Sequence, residues 1–213
     1  MKCDKKMMLL YAVTDQTWTQ KLSLYEQVEA ALQGGVTCVQ LREKNLSDEN
    51  FLEEAVKICE LCHRYGIPFI INDHVEIAVK CSADGIHVGQ EDAKVLEVRN
   101  AVGEDMIIGV SVHTVNEAVE AVKQGADYLG VGAVFSTTTK TDVSVLSHEM
   151  LRDICSAVEI PVVAIGGIQK ENMEQLSGSG IDGVALVSAI FSADAISEEC
   201  RELHLLAERV VRK

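Results

Sequence analysis

At 213 residues, 47% of them hydrophobic and 24% charged, the chain has the size and composition of one large globular domain. A formal net charge of −14 excludes the basic face that non-specific binding to nucleic acid or to an anionic membrane needs. No apolar run approaches the roughly 18 residues that cross a bilayer, and the 7 cysteines, an odd set scattered along the chain, read as free thiols in a reducing cytoplasm.

Met1–Lys6 carries no secretory pattern and leads into the first of eight apolar, β-rich runs, Met8–Val13. The second, Cys38–Leu41, precedes an amphipathic segment, Asp48–Arg64, whose Phe51, Leu52, Ala55, Val56, Ile58, Cys59 and Cys62 recur at helix spacing. Phe69–Ile71 and Ile86–Val88 follow, then a helix over Ala93–Val102, the run Met106–Val110, a helix over Asn116–Gln124 and the run Tyr128–Val131. A helix starting near Ser147, the runs Val162–Ile165 and Val184–Val187, and a helix over Ile196–Val211 complete the order. Continuous rather than alternating apolar character predicts strands buried on both faces, as in a parallel sheet. Cys59, Cys62 and His63 could suggest a metal, but a structural zinc needs four ligands and no second pair stands nearby, so the cysteines read as one packed helix face.

A weak repeat supports the parallel reading. Gly35-Val36-Thr37-Cys38, Ser82-Ala83-Asp84-Gly85, Gly125-Ala126-Asp127-Tyr128 and Gly180-Ile181-Asp182-Gly183 each end a helix and enter an even-numbered strand. They predict a unit of two βα pairs, and with eight strands a single-domain (β/α)8 TIM barrel over residues 1–213. An open doubly wound sheet is the competing layout. It lacks its signature here, because Thr14-Asp15-Gln16 follows the first strand where a Gly-x-Gly-x-x-Gly turn would stand.

In such a barrel, chemistry collects at the C-terminal ends of the strands. Polar clusters fall there after strands two, three, four, six and seven, joined by Ser111 at the end of strand five and Ser188 at the end of strand eight. Gln40, Arg42 and Lys44 alternate, so their side chains should share a face; Gln40 suits a heterocycle, and Arg42 and Lys44 suit phosphate oxygens. Asn72-Asp73 and Asp92 read equally as helix N-caps and as ligands. Two carboxylates on adjacent strand ends suit Mg2+, with Glu91 an alternative to Asp92. Thr137-Thr138-Thr139-Lys140 reads as an anion cradle or as a polar surface loop, and Gly166-Gly167 as a phosphate-approaching turn or as a tight turn only. His74, His87 and His113 also lie near the mouth and are read as structural rather than as a proton shuttle.

Taken jointly and in order, these segments resemble the thiamine-phosphate synthase (thiamine-phosphate pyrophosphorylase) family. The resemblance rests on Gln40-Leu41-Arg42-Glu43-Lys44, Ile71-Asn72-Asp73, Asp84 through Asp92, Gly109-Val110-Ser111, Thr137 through Lys140 and Ile165-Gly166-Gly167-Ile168. It implies a transferase that joins 4-amino-2-methyl-5-(diphosphooxymethyl)pyrimidine to 4-methyl-5-(2-phosphooxyethyl)thiazole, releasing pyrophosphate. By motif position it implies that Gln40, Leu41, Arg42, Glu43, Lys44, Asn72, Ser111 and Lys140 hold the pyrimidine diphosphate. Thr137, Thr138, Thr139, Gly167, Val187 and Ser188 would hold the thiazole phosphate, and Asp73 and Asp92 would bind Mg2+ as cofactor. Arg42, Lys44, Lys140 and Ser111 would form the catalytic set. The expected partners are those two small molecules, with no nucleic acid and no membrane, and a homo-oligomer is allowed. The chain departs from the family pattern near strand six, where Ala133 and Ser136 stand in place of common prolines.

Two rivals follow from the same residues. A thiazole tautomerase would keep the barrel but would not need the metal carboxylates or the cationic end of strand two. A ligand-binding protein without turnover would have no reason to keep both.

Overall fold

The computed structural model describes residues 3–89, 94–136 and 145–211. Eight parallel strands close into a barrel in chain order: β1 (Leu10–Val13), β2 (Cys38–Leu41), β3 (Phe69–Asn72), β4 (Gly85–Val88), β5 (Ile107–Val112), β6 (Tyr128–Val131), β7 (Val162–Ile165) and β8 (Gly183–Leu186), with β8 returning to β1. The helices are α1 (Leu24–Gln33), α2 (Asp48–Arg64), α3 (Val75–Lys80), α4 (Val95–Val102), α5 (Val115–Lys123), α6 (His148–Ala157), α7 (Ser188–Phe191) and α8 (Ile196–Val211). The (β/α)8 reading holds, with one local exception. Between β7 and β8 the crossover carries only a short 3-10 helix, Met173–Leu176, which still buries Met173 and Leu176 against the sheet.

All the strands are buried, yet their residues still alternate between two layers. In β1, Leu10 and Ala12 pack outward under the helices, while Tyr11 and Val13 point into the barrel with Ile70, Ile107, Tyr128 and Val163. Outward residues such as Ile71, Ile86 and Leu129 are fully enclosed, and each contributes about 2 kcal/mol of hydrophobic stabilisation. The cysteines of α2 belong to this layer: Cys59 and Cys62 are buried, and burial pushes the Cys59 thiol up to about 12.

The repeat has a physical cause at the N-terminal end of the barrel. Its first residue takes a left-handed backbone at all four sites, Gly35 (φ 93°), Ser82 (57°), Gly125 (98°) and Gly180 (88°), which turns the chain from helix to strand. Its third residue then clasps the preceding odd strand. The side chains of Thr37, Asp84, Asp127 and Asp182 accept from the backbone N–H of Leu10, Phe69, Ile108 and Val162 at 2.9, 2.8, 2.8 and 3.0 Å. The N–H of each clasping residue donates back to the carbonyl of the same partner. Three clasps also carry a basic side chain: Lys5 on Asp182 (2.8 Å), His63 on Asp84 (2.9 Å) and Arg99 on Asp127 (2.6 Å).

Several boundaries differ from the sequence reading, each for a local reason. Lys5–Met8 winds as a 3-10 helix capped by the Asp4 carboxylate, so β1 opens at Leu10 rather than Met8. β5 spans Ile107–Val112 rather than Met106–Val110, so Ser111 lies within its last two residues. β2 keeps its expected bounds, Cys38–Leu41, and Arg42 and Lys44 stand in the turn beyond it rather than along the strand. α5 starts one residue early because the Thr114 hydroxyl caps it, accepting from the Glu117 N–H. Ser47 and Ser147 cap α2 and α6 as their positions suggest.

Candidate active site

A cavity opens at the C-terminal ends of the strands, and residues from every strand or its exit line it. Of the sequence-nominated residues, Gln40, Arg42, Asn72, Ser111, Gly167, Val187 and Ser188 meet there. Leu41 is fully buried in the outer layer, on the side of β2 away from the mouth. The turn after β2 is built by Glu43, whose carboxylate accepts from the N–H groups of Lys44 (2.7 Å) and Asn45 (2.9 Å) and from the Gln16 amide (2.9 Å). That turn fixes the backbone from which Arg42 and Lys44 project. The Arg42 N–H is held by the buried Thr14 hydroxyl at 3.0 Å, and its guanidinium stands 3.6 Å from Asp15. The Lys44 ammonium stands 3.5 Å from the Asp73 carboxylate.

The cap reading of Asn72-Asp73 does not survive. His74 caps α3, its Nδ1 accepting from the Ile77 N–H at 3.4 Å. Asp73 itself takes φ 63°, a backbone state uncommon outside glycine, and its N–H donates to the His87 carbonyl at 2.9 Å. The carboxylate is thereby turned beside Lys44 at the rim of the mouth. α4 begins at Val95 with Lys94 as its N-cap and no side-chain cap bond. Asp92 and Glu91 lie outside the described residues, as do Thr137, Thr138, Thr139 and Lys140. Among the described residues no group of three His, Cys, Asp or Glu side chains is placed to hold a metal ion.

Gly166 and Gly167 are more than a tight turn. Both have positive φ, 96° and 67°, and both press on the segment that leaves β6. A Cβ at Gly166 would stand 2.6 Å from Ala133, and one at Gly167 would stand 2.3 Å from the Ser136 carbonyl oxygen. Backbone bonds from Val134 to Ile165 and from Phe135 to Gly166, both 3.0 Å, fasten the two strand exits together. Ala133 and Ser136 therefore sit in a segment anchored by the strand-seven turn. On the next exit, the Gln169 amide donates to the Ser188 hydroxyl at 2.9 Å, and Asn172 donates to the Gly167 carbonyl at 2.9 Å.

Four polar lining side chains were not among the nominated site residues: Tyr11, Tyr128, His87 and His113. The tyrosines are completely buried in the barrel, and desolvation raises both phenols well above their ordinary range, so they stay neutral. His87 contacts Tyr128 through Nδ1 and Ser111 through Nε2, both at 2.9 Å. His113 is set by Glu117, which accepts from its backbone N–H at 2.7 Å and approaches its ring at 3.4 Å. One sequence signal for the rings existed: glycines at 109 and 130, inside strands, mark places where something bulky comes close.

A closed parallel barrel with polar side chains and glycine turns gathered at the C-terminal ends of its strands has the layout of an enzyme of the (β/α)8 class. Comparison with known proteins narrows that class. The family described as Thiamine monophosphate synthase matches residues 10–190. Thiamine-phosphate synthase of Clostridium acetobutylicum is 46% identical over 192 residues, covering 90% of this chain and 91% of that protein. Its counterpart in Clostridioides difficile is 48% identical over 195 residues, covering 92% and 93%. The solved structure of thiamine phosphate pyrophosphorylase from Pyrococcus furiosus superposes with a TM-score of 0.89 at 37% identity, covering 97% of this chain and 98% of that one. The chain belongs to the thiamine-phosphate synthase family, and it is a transferase of thiamine biosynthesis. No helix among the described residues is long and apolar enough to cross a membrane.

Proposed function

We propose that the chain couples 4-amino-2-methyl-5-(diphosphooxymethyl)pyrimidine with 4-methyl-5-(2-phosphooxyethyl)thiazole, in a Mg2+-dependent reaction, to give thiamine phosphate and pyrophosphate. The observation that carries the reading is the pairing of a cationic strand-two exit with a left-handed Asp73, both on one rim. Asp73 spends its backbone on presenting a carboxylate rather than on capping a helix, and a rim of oxygen donors is the kind of site Mg2+ takes. With Asp92 as the second carboxylate, Mg2+ would supply charge neutralisation on the diphosphate.

In this reading Gln40 and Asn72 orient the pyrimidine, and Arg42, Lys44 and Lys140 take the charge of the departing pyrophosphate. The methylene C–O bond breaks with its electron pair leaving on pyrophosphate, the electron-rich aminopyrimidine bears the resulting cation, and the thiazole nitrogen lone pair closes the new C–N bond. The backbone around Gly167, Val187 and Ser188, with Thr137, Thr138 and Thr139, holds the thiazole phosphate. The strand-seven and strand-eight exits are the fold's habitual phosphate site. No protein nucleophile enters the scheme, so the chain's work is positioning and charge stabilisation. Leu41 would act only through its backbone and Glu43 by shaping the turn, since the leucine side chain faces away and the carboxylate is occupied by that turn.

The test mixes purified protein with both substrates, with Mg2+ or with EDTA, and follows thiamine phosphate after oxidation to thiochrome. Product in Mg2+ and none in EDTA is expected, with Asp92→Ala losing turnover far more than stability. Folded protein that binds the thiazole phosphate yet yields no product would shift the assignment to the tautomerase or the silent binder.

A further inference from the structure

Beneath the mouth, five side chains from five strands touch in series. The Gln40 amide Nε2 donates to the Tyr11 hydroxyl at 2.8 Å, and the Tyr11 and Tyr128 hydroxyls meet at 2.8 Å. Tyr128 meets His87 Nδ1 at 2.9 Å, and His87 Nε2 meets the Ser111 hydroxyl at 2.9 Å. The series begins and ends on residues nominated to hold the pyrimidine diphosphate, and its three middle members have no assigned role. We propose that Tyr11, Tyr128 and His87 are positioning residues that couple Gln40 to Ser111 across the barrel, so that the amide orientation on one side sets the hydroxyl orientation on the other.

The barrel has been cut to fit this bridge. Glycine inside a strand weakens it unless something must come close, and two strand glycines lie against the two rings of the bridge that stack together. A Cβ on Gly109 would stand 2.1 Å from the Tyr128 ring, and a Cβ on Gly130 would stand 3.0 Å from His87 Cε1. The rings stack tilted, with centroids 5.4 Å apart, and apolar Val13, Ile70, Ile107 and Val163 surround the bridge. Phenylalanine at 11 and 128 would fill the same space with no polar group to satisfy. The hydroxyls therefore need a reason, and a low-dielectric interior makes a satisfied chain of them stiff and cooperative.

The chain also has a direction. An amide nitrogen only donates, so the Tyr11 oxygen accepts from Gln40 and its own hydrogen can pass to Tyr128. Tyr128 then donates to His87 Nδ1, which places the imidazole proton on Nε2, where it donates to Ser111. Turning the Gln40 amide over would present Oε1 to Tyr11 and reverse every link. A ligand that dictates the amide orientation at β2 would thus dictate what Ser111 offers at β5. An aminopyrimidine, with an amino donor beside ring-nitrogen acceptors, makes such a demand. This use of the bridge rests on the proposed function, but the bridge itself can be tested without substrate.

The first readout is the imidazole tautomer of His87, from long-range 1H–15N spectra of histidine-labelled full-length protein, with the signal assigned by its loss in His87→Asn. We expect the Nε2–H tautomer in the unaltered protein and a shift or mixing of tautomers in Gln40→Leu. An unmoved His87 spectrum in folded Gln40→Leu would overturn the proposal, whatever the enzyme's activity. The second readout is kcat/KM for Gln40→Leu, Ser111→Ala and the double variant, with and without Tyr128→Phe, which removes one oxygen and keeps the ring. Coupling should make the double variant about tenfold more active than the product of the single effects predicts, and Tyr128→Phe should abolish that excess. Independent effects in both backgrounds would overturn the proposal. An unaltered protein that makes no thiamine phosphate, with His87 still responding to Gln40→Leu, would sink the proposed function and leave the bridge standing.

Discussion

At the N-terminal end of the barrel, Thr37, Asp84, Asp127 and Asp182 perform one task four times, each tying an even strand to the odd strand before it. At the C-terminal end the described exits differ from one another far more: an arginine and a lysine follow β2, a left-handed aspartate β3 and a glycine pair β7, and only β5 and β8 share a residue type, serine. Both ends use the same backbone, so the difference lies in what each must satisfy. The closed end needs only to turn the chain and pair its amides, a problem identical at every second strand. The open end must fit an asymmetric ligand, and a repeated solution would fit nothing. Periodicity in this chain therefore marks stability, and departure from it marks chemistry.

Substitutions at the two ends should separate these roles, beginning with the largest effect. Arg42→Ala should lower kcat/KM for thiamine phosphate formation roughly 100- to 1000-fold, while its urea midpoint stays close to that of the unaltered protein. A large loss of stability would mean that the rim also holds the fold. Asp127→Ala should do the reverse. It removes the clasp and leaves Arg99 without its carboxylate, costing about 2–3 kcal/mol, with activity per folded molecule unchanged. Chemical denaturation alongside the thiochrome assay reads both. Thr37→Ala breaks the one clasp made by a neutral side chain and should cost about 1 kcal/mol, since hydrogen bonds to charged groups are worth more. A cost equal to that of Asp127→Ala would show that charge adds nothing to the clasps.

The smallest effect concerns the thiols. Burial pushes Cys59, Cys155 and Cys200 up to about 12, so all three are protonated and poor nucleophiles at pH 8. Ellman's reagent should label them only slowly in the native protein, with no change in activity, and quickly in urea. Fast native labelling of any of them would show that its pocket opens locally.

The sequence made the strand count, the parallel order and the helix-to-strand turns legible, because continuous apolar runs and a recurring turn, glycine or serine two residues before threonine or aspartate, are signals carried by neighbouring residues. It also nominated Gln40, Arg42, Asn72, Ser111, Gly167, Val187 and Ser188, which meet at one mouth. It could not show that His74 and not Asp73 caps α3, since both residues occupy the same linear gap and only the backbone dihedral separates them. Nor could it show that Leu41 faces away or that Glu43 serves its own turn. The contacts of Tyr11, Tyr128 and His87 were hidden for a different reason. They join strands far apart in sequence, and a tyrosine in a strand looks the same whether its hydroxyl is buried or wet.

The glycines beneath the two rings impose a rule on how this barrel can change. Position 109 and position 128 occupy one volume, and 130 and 87 stand in tight contact. Neither member of a pair can grow alone: Gly109→Ala demands a ring smaller than tyrosine at 128, and an alanine at 130 crowds the imidazole at 87. Filling the hollow at 109 requires giving up the tyrosine at 128 first, so this part of the interior is closed to gradual repacking.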